Sequence, residues 1–152
     1  MRLAPRPTRA ILRIVVATDG SPDAIRAVTA AAKLAKAANG ELTILTIGGN
    51  ISGADLRRLA STDGDLSATM KSTANKVLDQ ARKCALRAGV TAAKLQTEWG
   101  DPSETIIETV RRRKADILVV GRRGRGRLSA LLLGSVSQKL ASLAPCAVMV
   151  VP

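Results

Sequence analysis

The sequence predicts an α/β domain: one open, five-stranded parallel sheet with helices on both faces, wound in the Rossmann-like order 3-2-1-4-5. Three observations predict it. Short apolar runs alternate with longer segments of helical period, most of the runs are apolar throughout rather than at every second residue, and aromatic residues are almost absent. Of the 152 residues 46% are hydrophobic, with one Trp and no Phe or Tyr. Such a core packs aliphatic side chains in thin layers, which suits helices laid on a sheet. A chain of this length forms one domain and buries roughly 70% of its unfolded surface. We assign that domain to residues 10–152, preceded by a loose basic tail over 1–9, where Pro5 and Pro7 oppose regular structure.

Ile11 to Ala17 (ILRIVVA) reads as the first strand, ending at TDGS. Ser21 caps the helix that follows, Pro22 opens its first turn and Asn39-Gly40 stops it; Ala24, Val28, Ala31 and Ala35 face the sheet. Glu41 to Ile47 is the second strand. Residues 48–65 read as a polar, Gly-bearing connection with about one helical turn. A long helix is expected from Leu66 to Arg87, with Met70, Val77, Ala81 and Cys84 or Ala85 inward and Gly89 ending it. Ala93 to Trp99 alternates as a half-exposed third strand does, and Trp99 reads as a packing residue at its end. Asp101-Pro102-Ser103-Glu104 then supplies a cap, a first-turn proline and an acid, opening a helix through Ile106, Ile107 and Val110. Its end, Arg111 to Lys114, is positively charged, as suits a helix C-terminus. Ala115 to Gly121 is the fourth strand, Gly134-Ser135 to Leu143 the last helix, and Cys146 to Val151 the last strand.

Composition narrows function. There are 24 Lys and Arg against 12 Asp and Glu, a formal net charge of +12, which favours an anionic partner. The absence of His removes the usual general base and the commonest metal ligand. Cys84 and Cys146 lie far apart, outside any CxxC spacing, and read as small thiols of a reducing compartment. The basic start meets no cleavage site and no apolar run reaches the length of a membrane span, so the expected location is cytoplasmic and no membrane partner is expected.

In the predicted strand order, the first and fourth strands lie side by side at the reversal point, and ligands bind outside their carboxyl ends. The loops meeting there are TDGS at 18–21 and the segment GRRGRGRLSALLLGS at 121–135. Gly121, Gly124 and Gly126 remove Cβ atoms where a backbone can curl around a ligand, and the amides of Gly134, Ser135 and Val136 open a helix whose dipole attracts anions. The hydroxyls of Ser135 and Ser137 add donors. A mobile loop of solvated arginines is the plainer alternative. GxxxxGK[ST] is absent, and Ser129 stands where GxGxxG needs its third glycine, so neither standard phosphate fingerprint applies.

What remains is Gly121-x2-Gly124-x9-Gly134-Ser135. With it the sequence resembles the universal stress protein family in its ATP-binding branch, whose nucleotide motif is G-x2-G-x9-G-[S/T]. IVVATDGSPDA at 14–24, GDPSETI at 100–106, ADILVVG at 115–121 and PCAVMVV at 145–151 are similar to other pieces of that family. The resemblance spans Ile11 to Val151. It implies that Asp19 lies by the ribose and adenosine, with Ala17 and Thr18 in the pocket wall and Ile47 against the adenine. It further implies that Gly121, Arg123 and Gly124 follow the ribose and phosphates, while Gly134, Ser135, Val136 and Ser137 close on the phosphate chain. The implied ligand is ATP, with any Mg²⁺ carried by its phosphates. Two places depart from the family pattern: the second strand runs into Gly48-Gly49-Asn50, and arginine stands at 122, 123, 125 and 127, beyond what the motif requires.

No base is placed to activate a serine or threonine, so the expectation is a binding protein rather than an enzyme, with slow ATP hydrolysis or autophosphorylation at most. Two classes of function stand: a regulatory nucleotide-binding homodimer of the stress response, joined through the apolar last strand, Cys146 to Val151; and a basic module whose arginine-rich loop binds nucleic acid or acidic proteins. Without aromatic partners for base stacking, nucleic acid is the poorer expectation.

Overall fold

The computed structural model describes residues 10–124 and 133–152. The tail at 1–9, and Gly126, Arg125, Arg127 and Ser129 of the loop, lie outside the described residues.

Five parallel strands, β1 (Arg13–Ala17), β2 (Glu41–Ile47), β3 (Lys94–Glu98), β4 (Ile117–Gly121) and β5 (Ala147–Val151), form one sheet in the order β3-β2-β1-β4-β5. All four pairings are parallel, with Val16 opposite both Ile44 and Val119. The helices are α1 (Pro22–Ala38), α2 (Gly53–Thr62), α3 (Gly64–Arg87), α4 (Pro102–Arg112) and α5 (Ser135–Leu143).

The faces follow from handedness. From β1 the chain first moves outward to β2 and β3, then returns across β1 to β4 and β5. Right-handed crossovers in opposite directions put their helices on opposite faces. One face holds Ile14, Val16, Leu42, Ile44 and Val119 under α1 and α3; the other holds Val15, Leu45, Leu118 and Val120 with Ile106, Val110 and Leu140 of α4 and α5. Alternate residues of β1 thus serve two cores, which is why that strand is apolar at every central position.

The first helix forms as expected. The Ser21 hydroxyl accepts the Ala24 amide, Pro22 occupies the first turn, and Asn39 ends the helix in the left-handed conformation at φ 51°. Ala24, Val28, Ala31 and Ala35 are buried. The small residues let α1 lie close on the sheet, and Gly121 marks the closest approach. A Cβ there would stand 2.7 Å from the backbone of both Asp23 and Ala24.

Four expectations need correction. The connection after β2 contains a ten-residue helix, α2, rather than one turn. Its cap is Ser52, whose hydroxyl accepts the Asp55 amide at 3.0 Å. Only Leu56 is buried, so almost no apolar stripe marks the helix in sequence. α3 starts at Gly64, two residues early, because Asp63 caps it by accepting the Leu66 amide at 3.0 Å. Ala81, Cys84 and Ala85 face inward as expected, but Leu78 is buried where Val77 was expected, in line with Ser67 and Ala74, while Val77 and Met70 are half-buried, Met70 beside Gly49. At the other end of the chain, Cys146 precedes β5 rather than opening it.

Trp99 packs at the strand end as expected. Its indole lies against Gly48, where a Cβ would fall 2.4 Å from the ring, and so fills the space opened by the unusual Gly48-Gly49 pair. Both cysteines are free, Cys84 buried and Cys146 half-buried, and burial raises the Cys146 thiol above its ordinary pKa. No helix among the described residues is long and apolar enough to cross a membrane.

Candidate functional site

At the carboxyl ends of β1, β2 and β4 the sheet opens into a cavity of about 260 Å³. β1 and β4 are neighbours but feed helices on opposite faces, so no helix fills the gap between their ends. The residues that the family resemblance implied all line it: Ala17, Thr18, Asp19, Ile47, Gly121, Arg123, Gly124, Gly134, Ser135, Val136 and Ser137; Gly126 lies outside the described residues. Segments separated by about a hundred residues meet here because β1 and β4 are paired.

The turn after β1 is held from both sides. The Thr18 amide donates to the Leu45 carbonyl at 2.9 Å, which keeps the turn beside β2. Gly20 adopts φ 80°, a conformation that glycine takes without strain. One carboxylate oxygen of Asp19 accepts the Ser21 amide at 2.9 Å. The other faces Gly124, where a Cβ would come within 2.7 Å of it. Gly124 therefore lets the loop after β4 close over the Asp19 carboxylate.

That loop is tied to α1. The Arg123 amide donates to the Asp23 carboxylate at 3.1 Å, and Asp23 also pairs with Arg26. Arg26 in turn donates to the Pro152 carbonyl at 2.8 Å. The Arg122 amide donates to the Val151 carbonyl at 2.7 Å, so the loop leaves the sheet still bonded to the end of β5.

The start of α5 differs from the other helix starts. Ser21, Ser52, Asp63 and Asp101 cap α1 to α4 with side-chain oxygens, whereas Gly134 caps α5 with none, and no acid lies in its first turn. Among the described residues, the first-turn amides thus open on the cavity without a side-chain cap, at the positive end of the helix dipole. Two groups expected to be available for an anion are engaged. The Gly134 amide donates to the Arg122 carbonyl at 2.8 Å, and the Ser137 hydroxyl donates to the Gly121 carbonyl at 2.7 Å. Ser137 is buried and braces β4 against α5, whereas Ser135 is exposed.

The floor was not legible in the motif. Leu45, Val120, Ile106 and Leu140 make it apolar, and Ser21, Ala24 and Pro102 complete the rim. Ile106 and Pro102 come from α4, and GDPSETI was the one sequence signal that pointed to them. Charge on the rim, glycine and amides at the α5 end and an apolar floor together suit a ligand with a flat apolar part and an anionic part. Among the described residues no group of three or more His, Cys, Asp or Glu is placed to hold a metal ion.

Comparison with known proteins shows the family and the fold. Residues 11–152 match the model of the universal stress protein family. Universal stress protein YxiE of Bacillus subtilis is 30% identical over 145 residues, covering 91% of this chain and 97% of that one. The crystal structure of a universal stress protein in complex with cAMP is 30% identical, covers 93% of this chain and 97% of its own, and superposes with a TM-score of 0.71. Universal stress protein UspA from Lactobacillus plantarum, 22% identical over 95% of this chain and all of its own, shares the fold at a TM-score of 0.79. The chain with this cavity belongs to the universal stress protein family.

Proposed function

We propose that the chain binds ATP in the crevice between β1 and β4, as a regulatory nucleotide-binding protein of the ATP-binding branch, and that occupancy biases a homodimer paired through β5. One observation carries the reading. The residues selected by the G-x2-G-x9-G-[S/T] motif and by the loop after β1 converge on a single cavity, although the motif says nothing of an apolar floor. The cAMP complex of a relative 30% identical supports an adenine nucleotide as the class.

In this reading the base and ribose occupy the apolar floor near Ile47 and Asp19. The phosphates run past Arg123 and Gly124 to the amides of Ser135 and Val136, and Mg²⁺ arrives on the phosphates. At about 260 Å³ the cavity is close to the lower end, roughly 300 Å³, of pockets that enclose most of a small ligand. The protein is expected to be purified with adenine nucleotide, detectable by mass spectrometry of the heat-released supernatant. Arg123→Ala is expected to weaken ATP by roughly tenfold and AMP by less, since a charge-assisted contact to the outer phosphates is absent from AMP. ATP and AMP affinities that both stay unchanged in Arg123→Ala would sink the proposed pose.

The dimer is proposed from the β5 edge. Among the described residues β5 lies at the sheet's end with β4 as its one neighbour, and an unpaired edge invites pairing with a second copy. Met149 is 37% exposed there. The wild type is expected to have a dimer's mass in light scattering, and Met149→Lys a monomer's. A wild type already monomeric at micromolar concentration rules this out.

A further inference from the structure

At the opposite end of the sheet from the nucleotide crevice lies a second cavity of about 260 Å³. Among its lining residues are five cations, Arg13, Lys94, Arg112, Arg113 and Lys114, and one carboxylate, Glu41. We propose that this basic cavity is a second binding site, for a small soluble anion carrying at least two phosphate groups.

The cations come from separate parts of the chain: the start of β1, the start of β3, and the end of α4 with its turn into β4. A helix C-terminus attracts positive charge, which explains Arg111 and Arg112 in the last turn of α4. It does not explain Arg13 and Lys94, which the strand pairing brings to the same place.

Carboxylates balance only part of this charge. Arg112 pairs with Glu98 at 2.7 Å, and Lys94 with Glu41 at a looser 3.7 Å. Arg113 donates from Nε to the neutral Gln96 amide oxygen at 2.5 Å, which fixes its guanidinium without neutralising it. Asp116 accepts the Arg13 backbone amide at 2.8 Å rather than its side chain. Among the described residues no carboxylate lies within ion-pair distance of the side chains of Arg13, Arg113 or Lys114. Arg13 and Lys114 are exposed and water screens much of their repulsion, yet three cations around one concavity still set a positive potential that favours an anion, most strongly at low salt.

A compact anion with several charges suits that potential. One guanidinium offers paired donors to phosphate oxygens, and the flanking charges reach the next phosphate. A neutral ligand leaves the repulsion in place. Lys114 is held at φ 51°, so the turn into β4 directs its Cα–Cβ bond off the path of a continuing helix.

The test is calorimetric titration of inorganic pyrophosphate into the full chain at low ionic strength, with ATP held at saturation so that the crevice between β1 and β4 is occupied. Arg13→Gln combined with Lys114→Asn removes two exposed charges, and asparagine tolerates the left-handed backbone at 114. One pyrophosphate is expected to bind per wild-type chain. The double variant is expected to bind it at least roughly tenfold more weakly, with ATP affinity and melting temperature unchanged. Pyrophosphate that fails to bind once ATP is saturating, or binds the variant as tightly as the wild type, overturns the proposal. The readout stands apart from the crevice reading: were ATP not to bind, the same comparison is made without it, and the double variant still decides.

Discussion

Gly134→Val is expected to lower ATP affinity by roughly a hundredfold, about 2.8 kcal/mol, while leaving the protein folded. Gly134 has φ −67° and ψ 163°, extended backbone that any residue adopts. A Cβ there would stand 3.5 Å from the nearest described atom, the Arg123 Cα, an ordinary contact. Among the described residues, nothing in the fold requires glycine at this position. In the proposed pose something else does, because the phosphate chain passes over the uncapped start of α5, and a valine side chain would stand between it and the amides of Ser135 and Val136. Gly134 offers no side-chain bond to lose, but valine is a poorer N-cap than glycine, so a stability loss of about 1 kcal/mol is expected, too little to unfold the domain. Calorimetry and a thermal melt on the same preparation decide the matter. Equal ATP affinity in the two proteins removes the nucleotide site from the β1–β4 crevice.

Gly121→Ala is expected to do the reverse, lowering stability by about 3 kcal/mol at the upper end of ordinary overpacking. Its Cβ would meet the Ala24 nitrogen and the Asp23 carbonyl carbon at 2.7 Å. Both are backbone atoms in the first turn of α1, so no side chain can swing aside. α1 must retreat from β4, loosening Val28 over Val119 in a core where both are fully buried. For a domain of this size each kcal/mol shifts the melting temperature by roughly 2–4 °C, so a fall of about 6–12 °C is expected. In urea the midpoint should fall with an unchanged slope. A midpoint indistinguishable from wild type would show that the approach of α1 to β4 is not tight. Two glycines of one motif thus have different physical reasons, one set by the packing of the fold and one by the proposed ligand.

The family resemblance named the residues that meet in the crevice, and the sequence pattern by itself determined the strand order and the helices on both faces of the sheet. Those features rest on local or topological signals. Continuously apolar runs such as Ile14–Val16 mark strands buried on both faces, Ser21-Pro22 and Asp101-Pro102 mark helix starts, and crossover handedness then places the reversal between β1 and β4. Tertiary structure alone decided what depended on side-chain neighbours from other elements. α2 was hidden because one leucine anchors it. One turn of the α3 face, Val77 in place of Leu78, was misassigned because the two are equally apolar, and only packing against α1 and β2 chooses between them. The apolar floor under the motif depends on how α4 and α5 settle on the sheet. The basic cavity depends on strand pairing that brings Arg13 and Lys94 to the end of α4, residues too far apart in sequence for any local pattern to join.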